Sequence, residues 1–161
     1  MRARLAGWTA QAVAGRDGLS AVPEPSLHVT LVFLGSTAPA DIDRIWAAVP
    51  DVDGPPVLSG TGLVALPRRH PRVFALGLAD EGGRAAALQR AIATGLGEDE
   101  GRPWLPHVTL ARVRKGERVA HLATDAPGIE PFAATGVTLL RSHPCSRYEV
   151  VERTGLDAQS S

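Results

Sequence analysis

The amino-acid sequence predicts an α+β fold, and three observations lead to this prediction. Segments with the apolar spacing of helices alternate with segments rich in β-branched and aliphatic residues, which are typical of strands. The predicted order is helix, strand, helix, strand pair, helix, strand and strand pair. The two halves also share one pattern, because in each a helix and a proline-containing lead-in precede a strand with the sequence His-Val-Thr-Leu. Such a duplication predicts two pseudo-symmetric lobes of antiparallel sheet, with helices outside and a central cleft between the lobes.

The first half of the chain is predicted to contain two helices and one strand. Apolar residues at helical spacing indicate a helix over residues 5–13, ended by glycines and polar residues. Pro23 and Pro25 impose an extended lead-in to a strand over residues 27–34. A second helix is expected over residues 39–49, where a proline stops it.

The second half is predicted to contain more strands than helices. Its elements are a strand pair over 57–66 and 72–78, a helix over 83–96, a strand over 107–113, one or two weak helical turns over 117–123, and a hairpin formed by 131–140 and 147–156. A polar tail covers residues 157–161. A chain of 161 residues can bury a core of its own, so one domain over residues 1–161 is expected.

Composition and charge argue against several classes of protein. The formal net charge is +0, which argues against a broad basic surface for coating nucleic acid but leaves room for a small phosphate site. The single cysteine, Cys145, rules out an intramolecular disulfide and fits a reducing cytoplasm. The sequence has no apolar run of about 18 residues and no apolar leader, so we expect a cytoplasmic protein without a membrane span.

The repeated tetrapeptide is the feature that points to chemistry. It occurs in a chain with only 5 histidines, as His28-Val29-Thr30-Leu31 and as His107-Val108-Thr109-Leu110. In a strand, His and Thr two positions apart share one face, while the residues between them, and Phe33 further along, point to the core. One histidine on a strand is most often structural, whereas a repeated His-x-Thr pair favours catalysis. Two imidazoles supply an acid and a base near neutral pH, and hydroxyls hold anionic oxygens.

These residues resemble those of a known group, the two-histidine phosphoesterases, and within it the bacterial RNA 2′,3′-cyclic phosphodiesterases, historically called 2′-5′ RNA ligases. The resemblance is carried by both His-x-Thr motifs with their flanks and by three further segments, at residues 27–35, 71–77, 102–113, 137–142 and 147–150. One feature departs from the family. Its members usually begin with a hydrophobic strand ahead of the first helix, and that first strand is missing from this sequence.

The resemblance implies an enzyme that needs neither metal nor cofactor and hydrolyses RNA 2′,3′-cyclic phosphate ends to 2′-phosphates, with 2′-5′ ligation as the reverse reaction. It implies His28 as proton donor to the leaving 3′-oxygen and His107 as proton acceptor from water, although a pseudo-symmetric site can run in either direction. Thr30 and Thr109 would hold the phosphate oxygens. Arg112 resembles a substrate-binding position, but strand parity places it opposite His107 unless the strand bulges. The other histidines form no ligand cluster with acidic residues, so no metal site is expected.

Two other functions stay open at the level of sequence. The first is an esterase for a small cyclic nucleotide. The second belongs to a different class and is a nucleotide- or RNA-binding module without turnover. The intact His and Thr pairs disfavour this second function. Arg68, Arg69 and Arg72 border a turn, where they either contact an RNA backbone or form a solvated loop. Trp104 either stacks a base or packs in the core. We expect RNA or a small cyclic nucleotide as the partner, and a monomer unless the missing strand leaves an open edge for a dimer.

Overall fold

The computed structural model of the chain describes residues 1–52, 54–98, 101, 103–122, 125–143 and 147–156. Its α-helices are α1 (Arg2–Val13), α2 (Ile42–Ala47) and α3 (Arg84–Leu96). Its strands are β1 (Leu19–Ala21), β2 (Val57–Leu66), β3 (Val73–Glu81), β4 (His107–Val113), β5 (Phe132–Ala133), β6 (Gly136–His143) and β7 (Arg147–Gly155). Short 3₁₀ turns cover Glu24–Ser26 and Pro39–Asp41. Among the described residues, no helix combines the length and the apolar character needed to cross a bilayer.

The strands form two antiparallel sheets of unequal size. The larger sheet has the order β1-β4-β3-β2-β5, and β6 pairs with β7 in a two-stranded sheet. This arrangement confirms the predicted α+β fold with antiparallel sheets and helices outside them. The larger sheet carries a register shift in β2 between Gly60 and Gly62.

The core lies between the larger sheet and the helices that cover it. Leu5 of α1 is 0% exposed and packs in one cluster with Leu76, Val108 and Leu110 of the sheet. A second cluster joins α3 to the C-terminal sheet through Leu88, Ile92, Leu156 and the partly buried Val137. Burying these aliphatic side chains supplies the main driving force for folding.

The predicted strand over residues 27–34 is not formed. Only Val29 pairs with another strand residue, in a single antiparallel bridge to Val108. A strand needs a neighbouring backbone to bond to, and beyond Val29 no described strand runs beside this segment. The prediction that Phe33 faces the core is therefore wrong, since its side chain is 78% exposed.

The predicted helical turns over 117–123 are also absent over residues 117–122, which are irregular. Val119 and Leu122 pack from this segment against the cluster that contains Leu19 and Phe74. Two anchoring side chains suffice to hold an irregular segment, and a helix as short as this has little stability of its own. Residue 123, Cys145 and the tail 157–161 lie outside the described residues.

A cavity of about 810 Å³ separates the two sheets. Its walls are the irregular segment after His28, the strand β6, and mainly aliphatic side chains of α2 and α3. Within the described chain β6 pairs only with β7, so its other edge faces this cavity. The wall of this cavity therefore includes one open sheet edge.

Candidate active site

A β-bulge in β4 brings three predicted site residues onto one face of the larger sheet. The register skips Leu110, since β3 residues pair with β4 as Gly77 with His107, Ala75 with Thr109, Phe74 with Ala111 and Val73 with Arg112. Ala75 and Val73 lie on one face of β3, so Thr109 and Arg112 share that face with His107. Unbroken alternation would have sent the arginine to the opposite face. Val108 and Leu110 are buried on the core side, as predicted.

The two His-x-Thr motifs meet at their central residues. Val29 and Val108 form an antiparallel bridge, and both pack in the same core cluster. One step of this register on each side sets His28 opposite Thr109 and Thr30 opposite His107. The two motifs are therefore related by a local two-fold axis that passes through the Val29–Val108 bridge. Both motifs turn their valine to the core and their His and Thr away from it.

Each imidazole is fixed by the same local hydrogen bond. The Nδ1 of His28 lies 2.8 Å from the carbonyl oxygen of Ser26. The Nδ1 of His107 lies 2.8 Å from the carbonyl oxygen of Leu105. Because a carbonyl only accepts, Nδ1 must carry the proton in both rings. Nε2 is then the ring nitrogen left for proton transfer in each histidine.

Trp104 holds the first motif against the segment that leads into the second. Its indole Nε1 donates to the carbonyl oxygen of Thr30 at 2.9 Å, and its ring packs against the main core cluster. This placement agrees with the core-packing alternative for Trp104. Thr30 is exposed and Thr109 is half-buried.

Tyr148 on β7 joins the site from the second sheet. Its hydroxyl accepts a hydrogen bond from Nη2 of Arg112 at 3.2 Å. Its ring meets His28 edge to face, with ring centroids 4.7 Å apart and an interplanar angle of 74°. Sequence reasoning gave Tyr148 no role, and the available signal was that it is the only tyrosine of the chain.

The surroundings of His28 lower the pKa of its ring. Burial lowers the pKa of His28 below its ordinary value of 6.5, and the hydrogen bond to Ser26 partly offsets this effect. The positive charges of Arg112 and Arg2, and the neighbouring His107, lower the pKa further. These charge effects also show that the arginine and the second histidine lie within electrostatic range of the first.

Among the described residues, the Arg112 guanidinium is hydrogen-bonded through Nη2 but not through Nε. Its Nε is buried and, within the described part of the chain, makes no hydrogen bond to protein. A buried guanidinium N–H is costly to leave without an acceptor, so this atom suits an anionic ligand oxygen. Among the described residues, no three His, Cys, Asp or Glu side chains converge on a point that suits a metal ion.

The site lies at the rim of the large cavity and not inside it. His28, Thr30 and Tyr148 border the cavity, whereas His107, Thr109 and Arg112 are not part of its wall. Most of the residues that line the cavity are apolar. The exposed turn that carries Arg68, Arg69 and Arg72 precedes Val73, the register partner of Arg112, and so lies at the Arg112 end of the β3–β4 pair.

Comparisons with known proteins agree with this geometry. An RNA 2′,3′-cyclic phosphodiesterase of Geobacillus stearothermophilus is 34% identical over 104 residues, which are 60% of this chain and 33% of that protein. The match thus spans about a third of the relative's length. The crystal structure of TT0787 of Thermus thermophilus superposes with a TM-score of 0.79 and 25% identity, covering 99% of this chain and 93% of that one.

A second solved structure shares the fold. Escherichia coli LigT complexed with 3′-AMP superposes with a TM-score of 0.71 and 22% identity, covering 97% of this chain and 90% of that chain. The sequence profile of the 2′-5′ RNA ligase superfamily matches residues 2–144, a span that contains both His-x-Thr motifs. The resemblance seen in the motifs is thereby confirmed, and the chain belongs to the 2′-5′ RNA ligase superfamily of two-histidine phosphoesterases.

Proposed function

We propose that this chain is a cytoplasmic phosphodiesterase that opens 2′,3′-cyclic phosphates at RNA ends to 2′-phosphates, with 2′-5′ ligation as the reverse reaction. The observation that carries the proposal is the meeting of the two His-x-Thr motifs at the Val29–Val108 bridge. This pairing offers two imidazoles whose Nε2 atoms are available, beside an arginine with a buried donor. The name of the Geobacillus relative supports the same reaction.

The proposed reaction is an in-line displacement at phosphorus. A water oxygen bonds to phosphorus while the bond from phosphorus to the ribose 3′-oxygen breaks. His107 Nε2 accepts a proton from the water, and His28 Nε2 donates a proton to the departing 3′-oxygen. His107 therefore ends the step with one proton more and His28 with one proton fewer. Both rings return to their starting states by exchanging protons with solvent after the product leaves.

Three donors hold the phosphate in this scheme. The Nε–H of Arg112 and the hydroxyls of Thr30 and Thr109 donate hydrogen bonds to the two non-bridging oxygens as charge develops on them. The antiparallel register sets one threonine opposite each histidine, which supports a phosphate bound across the local two-fold relation. No metal or cofactor is required, because the acid, the base and the charge stabilisation all come from side chains.

The proton donor must be charged when the reaction begins, although burial and positive neighbours lower the pKa of His28 in the free protein. A bound phosphodiester carries a negative charge, which favours the charged imidazole and opposes the effect of Arg112. Substrate binding is thus coupled to protonation of His28. The pseudo-symmetric alternative exchanges the roles of the two histidines, and the pH dependence of the rate separates the two assignments.

The exposed arginines near Arg112 favour RNA over a small cyclic nucleotide as substrate. Arg68 and Arg69 lie in the exposed turn between β2 and β3, which leads into the register partner of Arg112, and exposed arginines suit contacts to a nucleic-acid backbone. The test compares hydrolysis of an RNA ending in a 2′,3′-cyclic phosphate with hydrolysis of 2′,3′-cyclic AMP, in the wild type and in the double variant Arg68→Ser, Arg69→Ser.

The expected result is a KM for RNA that rises several-fold in the double variant, while kcat/KM for 2′,3′-cyclic AMP stays the same. A variant that treats both substrates as the wild type does would favour the small-nucleotide esterase. Binding of both substrates without turnover of either would favour the non-catalytic module.

A further inference from the structure

Tyr148 touches two groups of the site from a different sheet. Its hydroxyl lies 3.2 Å from Nη2 of Arg112, and its ring edge packs on His28 with centroids 4.7 Å apart. The His28 and Arg112 side chains come from separate parts of the chain, one from the irregular first motif and one from β4. A single side chain therefore spans both halves of the proposed phosphate site.

The hydroxyl contact acts on Arg112. Its guanidinium is a planar fork, so fixing Nη2 also fixes the direction in which Nε–H points. That Nε is the buried donor without a protein acceptor in the described chain. Through Nη2, Tyr148 thus sets where this donor points and saves the ligand the cost of ordering a long side chain.

The ring contact acts on His28. Because this segment forms no strand, its backbone is held by one bridge and by the Trp104 hydrogen bond, and the aromatic edge supplies a further restraint on the imidazole. The ring also covers His28 from water. The other charged or titratable groups that act on it are Arg112 and His107 from β4 and Arg2 from α1.

We propose that Tyr148 is a positioning residue of the phosphoester reaction, whose hydroxyl aims Arg112 at the phosphate and whose ring orients and shields His28. This inference rests on the proposed function. It assigns two separable tasks to one side chain. Tyr148→Phe removes the first task and keeps the second, whereas Tyr148→Leu removes both.

The test uses NMR on the free protein, where no turnover is needed. Arginine Nε–Hε signals report the order of Arg112, and ring ¹³C signals report the titration of His28, each assigned with Arg112→Lys and His28→Gln. The matched control is Thr135→Val. The hydroxyl of Thr135 accepts a hydrogen bond from Nη2 of Arg153 on β7, also at 3.2 Å, and this variant removes it.

In Tyr148→Phe the Arg112 signal is expected to broaden, and inorganic phosphate to bind on the order of 10-fold more weakly, while the His28 titration stays as in the wild type. In Tyr148→Leu the pKa of His28 is expected to rise, because burial is the largest cause of its lowering and water now reaches the ring. Thr135→Val should change neither signal.

Two outcomes overturn the proposal. One is an unchanged Arg112 signal in Tyr148→Phe, and the other is an unchanged His28 titration in a folded Tyr148→Leu. If Tyr148→Leu does not fold, the conservative Phe variant still decides the hydroxyl task, and Tyr148→Met, which also lacks an aromatic ring, replaces Leu for the ring task. A wild type that neither binds phosphate nor hydrolyses RNA would count against the proposed function, while both NMR readouts would still decide the role of Tyr148.

Discussion

At the scale of single residues, the two imidazoles are expected to act as one unit. Replacing either His28 or His107 by Ala should lower kcat/KM by on the order of 10² to 10⁴-fold, because each supplies one of two coupled proton transfers. The double variant should add little beyond the worse single variant. His121→Ala, which removes an exposed imidazole on another segment, is the control. Losses that multiply in the double variant would contradict a coupled acid–base pair.

The pH dependence separates the roles of the two rings. The pKa of His28 lies below 6.5 in the free protein, mainly because of burial. As proton donor it must be charged, so kcat/KM should fall as the pH rises through that lowered pKa. In kcat, which reports the substrate complex, the same limb should lie at higher pH because the bound phosphate favours the charged ring. If kcat/KM instead rises through the His28 titration measured by NMR, His28 is the acceptor.

Sequence reasoning names the histidines and threonines of the candidate site, but it does not give the rest of the site's geometry. A repeated motif is local, so it can be read without knowing the fold. The position of Arg112 depends on a bulge that only the pairing of β3 with β4 reveals. Tyr148 lies 41 positions after His107 and joins the site through tertiary packing, so no spacing in the sequence points to it.

At the scale of elements, the sequence predicts a strand or helix correctly where its apolar pattern fits the neighbours that the segment has in the fold. The strand at His107–Val113 and the helix at Arg84–Leu96 have the predicted position, because their apolar patterns match their neighbours in the fold. Residues 27–34 carry an equally strong strand pattern but lack a neighbouring backbone beyond Val29. Whether a strand forms depends on a partner that the local sequence does not contain.

The Trp104 hydrogen bond is expected to support this irregular segment. Trp104→Phe keeps the aromatic packing and removes the donor to Thr30, which should cost about 1 kcal/mol of unfolding free energy and about 2–4 °C in Tm. We also expect a lower kcat, because the segment carries His28.

A second tryptophan provides a control variant that is not expected to lower Tm. Trp46 Nε1 is buried and has no hydrogen-bond partner among the described residues, so Trp46→Phe removes an unsatisfied donor. Its Tm should stay the same or rise. Equal loss of stability in both variants would show that the indole hydrogen bond to Thr30 contributes nothing specific.

At the scale of the whole molecule, the two sheets are unequal and the edge of β6 faces a cavity. An open edge beside aliphatic walls invites pairing with another extended backbone. Adding an aliphatic strand of about seven residues ahead of Met1 should therefore raise Tm and reduce self-association, as measured by thermal melts and sedimentation. The control is an added segment of the same length made of Gly and Ser. Equal melting temperatures and monomers in all three proteins would show that the edge needs no partner.

The central claim concerns the product of the whole site. The most direct measurement is ³¹P NMR analysis of the products from an RNA that ends in a 2′,3′-cyclic phosphate, with and without EDTA. We predict an RNA ending only in a 2′-phosphate, formed at the same rate with the chelator, and formed on the order of 10² to 10⁴-fold more slowly by His28→Ala or His107→Ala. An RNA ending in a 3′-phosphate, a rate abolished by EDTA, or undiminished product from either histidine variant would contradict the account.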